Sequence, residues 1–352
     1  MQGIISTTAI TKIFLLATIA FVVTVCWTPL LTHFLYKYKL GKTIRVDPNT
    51  PIFSQMHQKK SGTPVMGGLL IWVTTLVIAL VFYSLAKWTT IPLFHQLNFL
   101  SRSQTLLPLG ALVASALVGL VDDFFNVRRM GPKGGGLSMK HRLLIYTLIA
   151  LVGAVWFFYK LDWDTFHIPF FGDLSVGIWY IPIFVFIIVA SSFSVNEIDG
   201  LDGLSGGTLL SAFVAFGAIA FLQGRIELAA FCAVICGALL AFLWFNIPPA
   251  RFFMGDTGAM SLGVTLGIVA MLTNTALLLP IIGLLFLLES LSVIVQVLSK
   301  KIRKKKVFLS APFHHHLEAI GWPEQKIVMR FWVIGAVLSV LGVMFYIVQV
   351  PR

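Results

Sequence analysis

Charged residues are scarce in this sequence, and acidic residues are scarcer than basic ones. Asp, Glu, Lys and Arg make up 11% of the 352 residues, whereas 58% are hydrophobic, above the roughly 45–50% typical of soluble domains. A water-soluble core cannot hold so many apolar side chains, which excludes an ordinary soluble domain. The 14 acidic and 26 basic residues give a net charge of +12, but the apolar runs leave little soluble surface for binding nucleic acid. We therefore expect membrane lipid as the solvent and no nucleic-acid partner.

Cysteine is also rare. Cys26, Cys232 and Cys236 all lie within apolar runs, where thiols behave as small hydrophobic groups. The pattern indicates neither a disulfide framework nor a zinc site. A basic region and a small-residue cleavage site are missing before the first apolar run, so we interpret that run as a retained span rather than a signal peptide.

Apolar segments long enough to cross a bilayer recur along the chain. A helix needs about 20 mostly apolar residues to span a hydrocarbon core of about 30 Å. Ten segments come close to this length, which predicts an all-α fold: a polytopic membrane helix bundle that forms a single integral membrane domain over residues 1–352. The predicted helices cover 12–36, 65–86, 104–121, 142–159, 177–195, 205–223, 227–246, 258–274, 276–299 and 327–349. Nine or eleven helices are alternatives, because only Thr273-Asn274-Thr275 separates the eighth from the ninth.

Lysine and arginine predict the orientation. Of the 26 basic residues, 20 fall in loops after odd-numbered predicted helices and six on the other side. Cytoplasmic loops carry the excess of Lys and Arg, so both termini should lie outside the cytosol. The 20 residues are Lys37, Lys39, Lys42, Arg45, Lys59, Lys60, Arg128, Arg129, Lys133, Lys140, Arg142, Arg251, Lys300, Lys301, Arg303, Lys304, Lys305, Lys306, Lys326 and Arg330; the other six are Lys12, Lys87, Arg102, Lys160, Arg225 and Arg352. The stretch 161–176, with Pro169 and a Phe-Gly-Asp turn, predicts a small extracytosolic hairpin.

A pair of carboxylates lies at the predicted cytosolic end of the third helix. Adjacent carboxylates such as Asp122 and Asp123 are costly at a membrane boundary unless they are hydrated, paired or bound to a cation. Neighbours on a helix point about 100° apart, so we expect the helix to end here if both side chains line one cleft. The alternative is a solvated pair that balances Arg128 and Arg129.

A second polar group follows the fifth predicted helix. Asn196, Asp199 and Asp202 are spaced by three residues, so they share one face of a helix or turn inward from a glycine-rich loop. Such oxygen ligands suit Mg²⁺, which takes one or two carboxylates and completes its shell with water and substrate phosphate. Turn formation is the structural alternative.

A third group precedes the eighth predicted helix. Asp256 lies one turn before that helix, so it is either a site carboxylate or an N-cap, and Thr257 is a further candidate for the cap. Asn246 ends the preceding apolar run. Phe252 and Phe253 offer a stacking face for a nucleobase, or serve as anchors at the membrane interface.

Three consecutive histidines, His314, His315 and His316, form the rarest pattern in the chain. In an extended segment the first and third point together, whereas in a helix none of them align. Donation to phosphate oxygens or acid–base chemistry is favoured over a transition metal, because no Cys or His partner is near.

Two single charged residues are also candidates. Lys60, before a glycine-rich stretch, offers charge to a phosphate. Glu289, inside the ninth predicted helix, is either paired or functional.

Taken in chain order, five motifs resemble the signature of a known family. They are KKSGTPVMGG, LVDDFF, NEIDGLDGL, FN followed by FFMGDTGA, and APFHHHLEAIGWPE. The set is similar to that of the polyprenyl-phosphate N-acetylhexosamine-1-phosphate transferases. The histidine run resembles the branch that uses phospho-N-acetylmuramoyl-pentapeptide more than relatives that use N-acetylglucosamine. The resemblance extends over residues 37–330.

The resemblance implies a ten-helix enzyme of the bacterial inner (cytoplasmic) membrane, often a homodimer, with its active site on the cytosolic face. It implies transfer of phospho-MurNAc-pentapeptide from UDP-MurNAc-pentapeptide to undecaprenyl phosphate, giving lipid I and UMP, with Mg²⁺ as the cofactor. Matching positions imply Asp256 as the magnesium ligand, Asp122 as the base or lipid-phosphate contact beside Asp123, and His314 as a further catalytic group. The implied substrate-binding residues are Lys60, Asn196, Asp199, Asp202, Asn246, Phe253, His315 and His316.

One departure from the family pattern falls inside the implied site. Asn126 stands where a lysine is usual, so that lysine's role is either missing or taken by a neighbour such as Arg128. The mechanism has two alternatives. Asp122 either removes or excludes a residual proton on the lipid phosphate, or attacks directly and gives a covalent intermediate.

Overall fold

The computed structural model describes residues 7–41, 58–102, 104–131 and 135–349. Of the basic residues counted above, Lys42, Arg45, Lys133 and Arg352 lie outside these ranges. In chain order the helices are α1 (Thr7–Lys37), α2 (Leu69–Trp88), α3 (Pro92–Leu97), α4 (Leu106–Val127), α5 (Met139–Lys160), α6 (Tyr180–Ile198), α7 (Leu204–Leu222), α8 (Ile226–Asn246), α9 (Asp256–Leu272), α10 (Leu279–Ile282), α11 (Leu284–Ile302), α12 (Phe313–Ala319) and α13 (Glu324–Gln349). The predicted all-α membrane bundle is confirmed, and each of the ten predicted segments overlaps a helix.

Two of the predicted segments differ from straight membrane spans. Within the described ranges, eight helices are long and apolar enough to cross a membrane. A further pair, Ala276–Ile282 and Leu284–Ile302, is bent by 81°, as in a broken span or a re-entrant loop. The prediction of one continuous helix over 276–299 is therefore wrong. The break falls at Gly283, where an added Cβ would come within 2.8 Å of the Leu279 carbonyl oxygen.

The other segment that differs is α9, which has 17 residues and lies in the middle of the bundle. Every residue from Thr257 to Leu272 is buried. Other helices rather than lipid therefore surround α9, and α4 and α6 are its main neighbours. This position lets the first residue of α9 meet the ends of several helices at once.

The predicted hairpin is present between α5 and α6. Strands β1 (Thr165–Ile168) and β2 (Gly172–Ser175) pair antiparallel, with Phe166 opposite Leu174. Phe170 in the connecting turn has a positive φ of 69°. Phe166 is buried and packs on Tyr180 of α6, which attaches the hairpin to the bundle.

Glycine residues allow the backbone at the start of α2 to pack closely against α9 and the loop before it. The backbone of Gly67 and Gly68 donates hydrogen bonds of 2.8 Å to the carbonyl oxygens of Phe253 and Met254. A Cβ added to Gly68 would lie 2.3 Å from the Cα and 2.4 Å from the backbone nitrogen of Gly258. These backbone atoms cannot turn aside as a flexible side chain could.

We expect Gly68→Ala to lower the melting temperature of the purified protein in detergent. Forcing the two backbones apart should cost about 1–3 kcal/mol, the usual range for overpacking. Gly110→Ala is the matched control, because a Cβ added to Gly110 meets nothing within 4 Å and alanine favours the helix. Equal melting temperatures for the two variants would contradict the tight contact.

Candidate active site

A polar pocket of about 170 Å³ lies where several helices end. Its walls come from the ends of α4, α6 and α8, the starts of α5 and α9, and the loops that join them. The lining residues are Lys60, Val65, Asp123, Asn126, Val127, Arg142, Asn196, Asp199, Gly200, Leu201, Asn246, Phe253, Met254, Gly255 and Asp256. Seven of the residues predicted from sequence are among them, and Asp122, Asp202 and the three histidines are not.

Asp123, near the end of α4, accepts hydrogen bonds from the first residues of α9. Its Oδ1 accepts the backbone N–H of Asp256 at 2.9 Å, and its Oδ2 accepts that of Thr257 at 3.0 Å. A carboxylate is favourable at a helix N-terminus, where backbone donors and the helix dipole both attract it. Gly255, with φ of 75°, has room for this carboxylate only because it has no side chain. The alternative of an N-cap at Asp256 or Thr257 is therefore wrong.

The Asp256 side chain instead faces a guanidinium. Arg142 Nη2 lies 2.8 Å from Asp256 Oδ2, and Arg142 Nε lies 2.7 Å from Asp122 Oδ2. Asn196 completes the cluster, since its Nδ2 donates to Asp256 Oδ1 at 2.7 Å and its Oδ1 accepts from Arg142 Nη1 at 3.3 Å. One planar cation thus bridges two carboxylates that would otherwise repel each other.

Asp122 is almost fully buried beneath the segment that leads into α5. Its Oδ1 accepts the backbone N–H of Leu137 at 2.6 Å. Gly136 lies so close that an added Cβ would be 2.3 Å from the same oxygen. The expected end of the helix at the carboxylate pair is wrong, because α4 continues to Val127. The two carboxylates still join one site, because Asp122 turns towards α5 and Asp123 towards α9.

Arg142 was missed as a site residue. It lies in the first turn of α5, where Ser138 caps the helix, and the sequence marks it only as one of many topogenic cations. The Arg128 guanidinium lies over the Phe124 ring, 5.5 Å from its centroid, and does not line the pocket. Asn126 does line the pocket. The sequence did contain a signal for Arg142: it is a basic residue at the start of the membrane span that follows the carboxylate pair.

Lys60 is paired rather than isolated. Its Nζ lies 2.8 Å from Asp202 Oδ1 and 2.5 Å from Glu324 Oε1 at the start of α13. Asp202 is buried, and its other oxygen accepts the backbone N–H of Ala250 at 3.1 Å. Glu324 also accepts the backbone N–H of Asp202, a contact that nothing in the sequence pattern indicated. This network connects three loops around the pocket.

Asn246 and Phe253 also line the pocket. Asn246 Oδ1 accepts the backbone N–H of Gly203, and Nδ2 donates to the Phe252 carbonyl oxygen, both at 2.8 Å. Phe253 lines the pocket, whereas Phe252 is fully buried against Phe242 and Phe245. Of the two predicted aromatics, only Phe253 is placed to stack on a ligand. Asp199, on the same loop as Gly203, accepts a 2.6 Å bond from Ser205.

The structure does not bring the three histidines into the pocket. They lie in the helix Phe313–Ala319, so they point in different directions, as the helical alternative predicted. His314 is fully buried beside Glu289, and His315 Nδ1 lies 2.6 Å from Glu318 Oε2. His316 accepts a 3.3 Å bond from the Leu309 backbone and packs against two phenylalanine rings.

The oxygen donors at Asp256 suit a divalent cation only in part. The Asp256 side chain is 14% exposed and already meets Arg142 and Asn196. Among the residues that the structure describes, no three His, Cys, Asp or Glu side chains are grouped to hold a metal ion. Mg²⁺ commonly takes one or two carboxylates and draws its other ligands from water and phosphate, so Asp256 fits it when a phosphate-bearing substrate is present.

These features define a polytopic membrane protein with a carboxylate-lined pocket at one end of its helix bundle. The sequence profile of glycosyl transferase family 4 matches residues 105–274. Phospho-N-acetylmuramoyl-pentapeptide-transferase from Chloroflexus aggregans is 39% identical over 342 residues, covering 94% of this chain and 88% of the relative. The enzymes of that name from Anoxybacillus flavithermus and Bacillus anthracis are also 39% identical, each covering 93% of this chain and 95% of the relative. The chain belongs to the phospho-N-acetylmuramoyl-pentapeptide-transferase family.

Proposed function

We propose that this chain, acting as one membrane domain, transfers phospho-MurNAc-pentapeptide from UDP-MurNAc-pentapeptide to undecaprenyl phosphate. The products are lipid I, used in peptidoglycan synthesis, and UMP. Family membership over more than nine-tenths of the chain carries this proposal. The Asp122–Arg142–Asp256 cluster supports it, because transfer of a phosphoryl group depends on positioning and charge neutralisation.

Different residues of the pocket would bind the cation, bind the phosphates and hold the backbone in place. Asp256, with Asn196 beside it, would hold Mg²⁺ against the diphosphate of the nucleotide. When bound, Mg²⁺ neutralises charge on the phosphate oxygens and polarises the bond to be broken. Arg142 already lies between the carboxylates and can donate to phosphate oxygens as they arrive. Asp123 acts through the backbone, since it keeps the first turn of α9 in place.

Asp122 is better placed to move a proton than to attack phosphorus. One of its oxygens accepts the Leu137 N–H and the other meets Arg142. A direct attack would require an oxygen to leave these contacts and approach phosphorus closely. Removal or exclusion of a residual proton on the lipid phosphate requires only that one contact be exchanged.

The nucleotide end of the substrate would contact other residues of the pocket wall. Phe253 offers a face for uracil, and Asn246, Asp199 and Lys60 line the same pocket. Asp202 would act indirectly by holding Lys60. The proposal gives His315 and His316 no direct contact with the nucleotide, because neither lines the pocket.

The pocket would face the cytosol of a bacterium, with the chain crossing the inner membrane several times. The excess of Lys and Arg in the loops at this end of the bundle supports that orientation. The homodimer implied by the resemblance stays a prediction.

The proposal is tested with purified protein in detergent. We expect UMP to be released when UDP-MurNAc-pentapeptide, undecaprenyl phosphate and Mg²⁺ are supplied together, and release to stop when EDTA removes the cation. UDP-N-acetylglucosamine replaces the donor in a parallel reaction and is expected to give no UMP. No release with any divalent cation would contradict the transferase, and faster release from UDP-N-acetylglucosamine would contradict the donor.

A further inference from the structure

A buried hydrogen-bonded pair, Glu289 and His314, lies behind the pocket. Glu289 in α11 and His314 in α12 both have 0% exposed side chains. Glu289 Oε2 lies 3.0 Å from His314 Nδ1, and both carboxylate oxygens accept the His314 backbone N–H at 3.2 Å. A carboxylate inside a membrane bundle is costly, so it is retained where it stabilises a particular arrangement.

The carboxylate sets which imidazole nitrogen carries the proton. Because Glu289 accepts from Nδ1, neutral His314 carries its proton there and presents a bare Nε2. Nε2 is buried and has no hydrogen-bond partner. It lies against Gly200, where an added Cβ would be 2.2 Å from Nε2 and 2.8 Å from Cε1. The imidazole therefore packs directly on the backbone at residue 200.

Gly200 is itself part of the pocket wall, together with its neighbours Asp199 and Leu201. The next residues of the loop are held from another side, since Glu324 accepts the Asp202 N–H and Asn246 accepts the Gly203 N–H, both at 2.8 Å. His314 thus supports the part of the loop that those two bonds do not reach.

We propose that Glu289 is a positioning residue: it orients the His314 imidazole against Gly200 and so sets the place of Asp199 and Leu201 in the pocket wall. The inference rests on the transferase function proposed above. Glu289 touches no substrate and acts through His314. A merely structural pair would join α12 to α11 without altering substrate binding.

The test compares two replacements of Glu289. Glu289→Gln keeps an acceptor oxygen for the imidazole N–H, so kcat and KM for the UDP substrate should stay within about threefold of the unchanged protein. Glu289→Leu has a similar volume and no acceptor. We expect it to raise that KM at least about tenfold while kcat falls less, because a hydrogen bond to a charged group is lost and the nucleotide side of the pocket moves.

Gly200→Ala approaches the same contact from the other side. The new methyl group would displace the imidazole, so the KM for the UDP substrate should rise as it does in Glu289→Leu. The double variant, Glu289→Leu with Gly200→Ala, should have a KM for the UDP substrate no higher than that of the single variant with the higher KM. Both changes break the same connection between His314 and the loop. Multiplicative effects on KM would indicate independent roles and overturn the proposal.

Hydrogen exchange provides a readout that does not need turnover. Backbone amides of 199–204 should exchange faster in Glu289→Leu, whereas those of the hairpin 165–175 should not change. Glu227→Gln, at the far end of α8 from the pocket, is the matched control and should alter neither exchange nor kinetics.

The outcomes separate this proposal from the proposed function. Unchanged KM and unchanged exchange at 199–204 in Glu289→Leu would overturn the positioning role. If Glu289→Leu does not fold, unchanged KM and exchange in Gly200→Ala would overturn it instead. If the unchanged protein releases no UMP from any donor, the transferase function fails, and the exchange measurement alone decides the role of Glu289.

Discussion

Replacing Asp256 with asparagine is expected to lower kcat for UMP release on the order of a thousandfold, because the variant loses the charge that meets Arg142 and the proposed cation. Asparagine keeps the shape of the side chain. The start of α9 should also stay intact, since its backbone donors bind Asp123 and not the side chain of Asp256. UMP release and the melting temperature are both measured, and we expect the melting temperature to change little. Asp256→Ala should be inactive as well.

Asp173→Asn is the control for this result. Asp173 lies in the hairpin, where its carboxylate meets His167 and is 64% exposed, so its replacement should leave kcat unchanged. Near-normal turnover in Asp256→Asn, with the control also active, would show that the proposed magnesium ligand is wrong.

The second large effect is expected for Arg142→Gln. This variant leaves Asp122 and Asp256 facing each other without the cation that bridges them. Breaking a buried ion pair by removing one partner commonly costs about 3–5 kcal/mol, so both the melting temperature and kcat should fall. For kcat we expect roughly a hundredfold to a thousandfold loss.

Arg142→Lys separates charge from geometry. Lysine keeps the positive charge but lacks the planar fork that reaches two carboxylates and Asn196 together. We therefore expect an intermediate loss, about tenfold in kcat, with partial recovery of the melting temperature. Arg128→Gln is the matched control, because that guanidinium lies over Phe124. A greater loss of kcat in Arg128→Gln than in Arg142→Gln would contradict our assignment of Arg142 as the site arginine.

Several site residues could be predicted from local pattern because their chemistry is unusual for their surroundings. Carboxylates at the ends of apolar helices are costly, so Asp122, Asp123 and Asp256 stood out before any partner was known. Asn196 and Asp199 stood out through their three-residue spacing after an apolar helix, and the structure places both in the pocket wall. Which catalytic role each residue has stays a prediction.

The histidine run shows where local pattern misleads. Three adjacent histidines suggest one concentrated function, yet the helix Phe313–Ala319 sends each ring to a different neighbour. His314 meets Glu289, which precedes it by 25 positions, and His316 packs on phenylalanine rings. The sequence left both the extended and the helical arrangement open, and only the helical one is present.

By itself the sequence determined the solvent of this protein, nearly all of its long helices and the grouping of its polar loops. These features are local: a backbone in lipid must satisfy its own hydrogen bonds, so each apolar run of sufficient length becomes a helix. The tertiary structure alone decided how the scarce charges are paired. Arg142 and Asp256 are 114 positions apart, and Asp123 and the N–H of Asp256 are 133 apart. Such pairs depend on how helices rotate and cross, which packing determines and no local pattern records.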